Sequence, residues 1–231
     1  MNPRRVTLFA GHYGSGKTNI AVNYALRLAG QGLPVTVADM DIVNPYFRTK
    51  DSADVLARAG VRLVSSAYAN TNVDTPALPG DLYTVTADRT RYAVLDVGGD
   101  DRGALALGRY APAIIEEGDY DMLLVVNRFR PLTRDAEGVA EIIEEIGQVC
   151  SLPFTGFVDN SNLGAETTAE DVLDSEDYRR QITEKTGLPL RFVTVREDLA
   201  PALADKIPCL LPLRLQAKII DDYSQKKGTT L

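Results

Sequence analysis

Two kinds of apolar run alternate along the chain. Short, largely apolar segments at 6–10, 34–39, 61–64, 92–97, 122–127, 154–158 and 190–195 read as strands buried on both faces. Longer segments with helical spacing separate them. Ile20, Tyr24 and Leu28 recur at i, i+4 in a helix over about 17–28 that Gly30 and Gly32 end. Val139, Ile142, Ile143 and Ile146 share one face of a helix over 133–148. Further helices are expected over 50–59, ending at Gly60, and over 103–116, 168–186 and 213–225. Residues 65–80 carry two prolines and many small polar side chains and read as a long loop. Strand alternating with helix predicts an α/β fold in three layers, with a mostly parallel central sheet of seven or eight strands and helices on both faces. No linker or repeat divides the chain, so a single domain over 1–231 is expected.

Composition narrows the function classes. Of 231 residues, 45% are hydrophobic and 25% charged, which suits an ordered globular fold. The net charge of −7, from 32 acidic and 25 basic side chains, argues against a nucleic-acid surface, which needs a basic stripe. Cys150 and Cys209 form neither a CxxC pair nor a disulfide framework, and reduced thiols in a cytoplasmic protein are expected. The apolar run before Gly11 is too short for a secretory core, and nothing approaches the ~18–20 apolar residues of a bilayer span. Asp221 and Asp222 oppose a membrane role for the C-terminal amphipathic stretch, so no stable membrane insertion is expected.

The chemistry concentrates at the ends of the predicted strands. Gly11-His12-Tyr13-Gly14-Ser15-Gly16-Lys17-Thr18 matches G-x-x-x-x-G-K-[ST], with a strand before it and a helix after it. In such a P-loop the glycines let backbone N–H groups wrap a phosphate, and the following helix adds its positive N-terminal dipole. Gly11, Gly14, Ser15, Gly16, Lys17, Thr18 and Asn19 are therefore the candidate phosphate site. Lys17 supplies the cation and the Thr18 hydroxyl a ligand for Mg²⁺. Asp96 ends a strand and opens the D-x-x-G run Asp96-Val97-Gly98-Gly99, where the carboxylate suits the Mg²⁺ shell and the Gly99 N–H a γ-phosphate. Asp39 and Asp41 flank Met40 at another strand tip, and a metal ion beside a phosphate cluster would explain two anions so close together.

The set GHYGSGKT, then Asp39-Met40-Asp41 after one crossover helix, then LDVGGD, resembles the deviant Walker-A ATPases of the MinD/ParA/CobQ type. That resemblance implies a P-loop NTPase fold, ATP with Mg²⁺, and hydrolysis. It implies that Asp39 sits beside the metal with Asp96 and Thr18, that Asp41 positions the attacking water, and that Asn127 contacts the base, with the turn near Val195-Arg196 alongside. Lys17 and Asp41 are then the catalytic pair. The second lysine of the family signature is replaced by His12, which leaves a nucleotide-linked homodimer without its trans-acting cation. Guanine readers carry N-K-x-D; here Asn127-Arg128-Phe129-Arg130 puts a cation where the acceptor Asp would stand, which favours ATP. Two functions follow: an ATPase switch acting on an unknown partner protein through the loops after Asp39 and Asp96, or an enzyme phosphorylating the carboxylate of a small-molecule substrate. The polar loops 42–48, 65–80 and 159–164 suit a second ligand and suit ordinary turn chemistry equally.

Overall fold

The structure is a computed structural model that describes residues 2–40, 52–64, 85, 87–99, 105 and 107–214. Its strands are β1 (Val6–Ala10), β2 (Val35–Asp39), β3 (Arg62–Val64), β4 (Tyr92–Asp96), β5 (Tyr120–Val126), β6 (Gly156–Asp159), β7 (Leu190–Arg196) and β8 (Leu210–Leu213). The helices are α1 (Lys17–Gly30), α2 (Ala53–Arg58), α3 (Ala111–Glu117), α4 (Ala136–Cys150), α5 (Ala169–Leu173), α6 (Glu176–Thr186) and α7 (Ala200–Leu203). All eight strands lie in one sheet, in the order β3-β2-β4-β1-β5-β6-β7-β8, and every pairing is parallel. The mostly parallel sheet expected from the sequence is thus fully parallel among the described residues.

Strand side chains alternate between faces, and each face is covered by helices. Phe9, Val37, Val94, Leu123 and Val125 point to the face where α1 lays down Ile20, Ala21, Tyr24 and Leu28. On the other face, Leu8, Leu95 and Met122 pack against Ala111 and Ile114 of α3. Beyond them, Leu124, Val126 and Phe157 meet Val139 and Ile142 of α4 and Ile182 of α6. Phe9 is fully buried and edge-on to Tyr24 at 5.5 Å and to Phe192 at 6.2 Å, so it ties β1 to α1 and β7. Truncating such a ring to alanine costs roughly 3–5 kcal/mol. β1 sits near the middle of the sheet between β4 and β5, so its C-terminal loop opens where strand ends converge.

Two expectations are corrected. The helix expected over 168–186 is two helices, broken at Asp174-Ser175. The buried Ser175 hydroxyl takes the Asp171 carbonyl, and Arg128 takes the Asp174 carbonyl at 2.6 Å, which draws away acceptors that a continuous helix would use. At 210–213 the chain forms β8, although Pro212 disguises it. Proline suits an edge strand because its missing N–H faces away from the ladder, and Pro212 is exposed. Leu213 closes that strand, and residues 215–225 of the helix expected there lie outside the described residues. The helix over 103–116 is described as Ala111–Glu117, with residues 107–108 helical before a turn.

Candidate functional site

β1 delivers the chain into the glycine-rich loop, and three glycines there have backbone angles that L-residues avoid: Gly11 at φ 142°, Gly14 at φ 77° and Gly16 at φ 95°. At Gly11 space is also limiting, because a Cβ would lie 2.7 Å from the Val125 carbonyl of β5. α1 begins at Lys17, with Gly16 as its N-cap, so the first turn of a fourteen-residue helix points into the loop. Lys17 is only 6% exposed; its Nζ folds back and donates to the His12 carbonyl at 3.1 Å. The Ser15 hydroxyl is buried and makes no hydrogen bond among the described residues. Thr18 is buried in the first helical turn, and the Asn19 side chain faces Asn23 on the same helix.

Gly99 closes against this loop. A Cβ there would lie 2.8 Å from the Tyr13 nitrogen and 2.9 Å from Lys17 Nζ, so only glycine lets the D-x-x-G turn approach the lysine. Asp39 and Asp96 are register partners on the neighbouring strands β2 and β4. Both follow the alternation of Val37 and Val94 onto the α1 face, and they are 4% and 1% exposed. Two buried carboxylates side by side repel each other, and a divalent cation is the ordinary way to hold them. Among the described residues no three His, Cys, Asp or Glu side chains cluster as a metal cage. Asp39, Asp96 and Thr18 could hold Mg²⁺ with phosphate oxygens and water completing an octahedron, as that ion prefers. The structure therefore brings Gly11, Gly14, Ser15, Gly16, Lys17, Thr18, Gly99, Asp39 and Asp96 to the carboxyl edge of three adjacent strands. Asp41 and residues 42–48 and 65–80 lie outside the described residues.

Asn127 ends β5 on the same face, buried, with its side chain engaged locally. Its Oδ1 accepts from the Phe129 N–H at 2.9 Å and its Nδ2 donates to the Asn162 carbonyl at 3.3 Å. Arg128 turns to the α5–α6 break and lies over Phe129 with 5.4 Å to the ring centroid. Arg196, in the turn after β7, holds Asp198 and donates to the Ala165 carbonyl at 2.7 Å. The loop after β6 contains the residue that the sequence reading passed over. Asn160 donates from Nδ2 to the Ser15 carbonyl at 2.6 Å, and a Cβ on Gly16 would run into its amide. Below it Asp159 is fully buried, accepting from Ser161 and from Arg179 at 3.1 Å. Burial pushes the Asp159 carboxyl above the usual carboxylate range, while Ser161 and Arg179 oppose the shift.

No protein-family model and no curated protein matches the sequence. Solved structures match in fold. The cell division protein FtsY of Thermotoga maritima is 19% identical with a TM-score of 0.57, over 84% of this chain and 62% of that one. FtsY of Mycoplasma mycoides is 18% identical with a TM-score of 0.57, over 84% and 61%. The 54 kDa signal recognition particle protein of Aeropyrum pernix, solved in complex with GDP, is 17% identical with a TM-score of 0.52, over 84% and 41%. The chain spans about three fifths of the length of those FtsY structures. At this identity the likeness establishes the fold: an α/β P-loop NTPase-like fold built on a parallel sheet.

Proposed function

We propose that this chain binds a nucleoside triphosphate with Mg²⁺ at the loop 11–18 and hydrolyses it. One observation carries the reading. The only lysine of the phosphate motif, the D-x-x-G glycine and two in-register buried carboxylates meet where α1 begins. Lys17 and the loop N–H groups neutralise the phosphates, while Thr18, Asp39 and Asp96 hold the metal against them. When bound, Mg²⁺ supplies charge stabilisation for the transferring phosphoryl group. Asp41, two residues past Asp39, is assigned to position the attacking water. The nucleotide is ATP, because Arg130 stands where a guanine reader would need a carboxylate. The protein acts as a nucleotide switch of the MinD/ParA/CobQ type on a partner protein, with the sequence motifs as support for that branch. A GDP-bound fold neighbour makes the choice of base the first thing to measure.

Calorimetric titration with Mg·ATP and Mg·GTP, followed by phosphate release, tests the reading. Tight ATP binding that Lys17→Ala removes is expected, with Asp41→Ala retaining affinity and losing turnover. Absence of heat with either nucleotide would sink it, and tighter binding of GTP would transfer the site to guanine.

A further inference from the structure

A phosphate loop works only if its peptide N–H groups point at the anion, and something outside the loop must fix each peptide plane. The carbonyl of Ser15 and the N–H of Gly16 belong to one trans peptide and point in opposite directions. Asn160, from the loop after β6, seizes that carbonyl at 2.6 Å and packs its amide against Gly16. The amide is itself oriented. Thr194 of β7 donates its hydroxyl to Asn160 Oδ1 at 2.5 Å, which leaves the NH₂ end facing Ser15. The segment that carries Asn160 is anchored from beneath, since Asp159 accepts from the Ser161 N–H at 3.0 Å and from Arg179 at 3.1 Å. The Asn160 N–H also bonds the Val126 carbonyl of β5 at 2.8 Å.

We propose that Asn160 is a positioning residue for phosphate recognition: it holds the Ser15 carbonyl outward, which turns the Gly16 N–H inward toward the bound phosphates, and Thr194 sets the direction of its amide. The inference rests on the nucleotide-binding reading above. It gives Asn160 a role that depends on the phosphates and not on the base, and that distinction is measurable. The side chain touches the loop from behind, so its removal loosens the loop without deleting a ligand contact.

The test compares Mg·ATP with magnesium tripolyphosphate, which carries the phosphates and no base, by calorimetry on the full chain. Asn160→Ala should weaken both by a similar factor, about tenfold, the scale of one well-placed hydrogen bond. Weakening confined to ATP would make Asn160 a base contact and overturn the proposal. Unchanged affinity for both, while Lys17→Ala removes them, would overturn it and leave the nucleotide site standing. A parent protein that binds neither probe would end both ideas together. Should Asn160→Ala fail to fold, the orienting hydroxyl carries the test. Thr194→Ser should keep parental affinity for both probes and Thr194→Val should lose it, whereas equal affinities in that pair would refute the arrangement.

Discussion

The two ends of the sheet handle buried charge in opposite ways. At the amino end, Arg5 and Glu117 form an ion pair with side chains 9% and 10% exposed, and Arg5 also donates to the carbonyls of Asp88 and Arg91. Arg191 nearby reaches both oxygens of Asp121, at 2.5 and 2.6 Å, and Thr155 bonds the same carboxylate. At the carboxyl end, carboxylate stands beside carboxylate, Asp39 in register with Asp96, and the lysine turns back on its own loop. The first arrangement balances positive against negative within the chain, so its product is stability. The second concentrates like charge where a cation and a polyanion would relieve it, so its product is affinity. Substitutions at the two ends should separate those two quantities.

The largest effect is expected at the amino end. Glu117→Ala leaves the Arg5 guanidinium buried beside two carbonyls and should cost about 3–5 kcal/mol of folding stability by denaturant melts. Nucleotide affinity of the fraction that folds should be unchanged. A weakened Kd there would mean that the two ends are coupled, and the comparison would lose its force. Next comes Lys17→Ala, expected to weaken Mg·ATP about a hundredfold, or ~2.8 kcal/mol, with the melting temperature preserved. A large loss of stability in that variant would make Lys17 a structural cation like Arg5.

The carboxylates sharpen the contrast further. Asp96→Asn removes one of two neighbouring buried charges, so in chelator the variant should melt at or above the parent temperature, by up to ~1 kcal/mol. The gain that Mg²⁺ brings to nucleotide binding should vanish at the same time. A drop of several degrees in chelator would show that the carboxylate serves the fold and not a metal.

How much of this could be read from the sequence depended on how local each feature is. The phosphate loop, Asp39, Asp96 and Gly99 are short motifs at strand ends, and the fold brings them together because β1, β2 and β4 are neighbours. Seven strands were visible because strands covered on both faces are apolar throughout. Asn160 was not visible, because its contact with Ser15 depends on the order β1-β5-β6, which no local pattern states. The α5–α6 break depends on Arg128, nearly fifty residues upstream, and β8 was hidden by Pro212, whose edge position is a property of the whole sheet. Asn127 was expected at the base; the structure puts its side chain into bonds that tie together the loops after β5 and β6. Asp41 lies outside the described residues, so its role stands on the motif alone.

The smallest effect concerns scaffold charges that belong to neither end. Asp135 caps α4, accepting from the Gly138 N–H at 3.0 Å, and that bond, with Arg134 assisting, holds its carboxyl below the ordinary range. Asp171 is held low by the Thr168 hydroxyl and N–H, at 2.7 and 2.8 Å, in the capping box of α5. A carboxyl whose folded value is depressed contributes stability above its unfolded value, near 3.9 for aspartate, and loses it as pH falls through the folded value. Asp135→Ala should therefore melt slightly below the parent at pH 7, and the gap should close once the pH drops below about 4. Mg·ATP affinity at pH 7 should match the parent, because the cap fixes a helix start and touches neither phosphate nor metal residues. A gap that persists unchanged into acid would mean that the residue acts through packing and not through its charge.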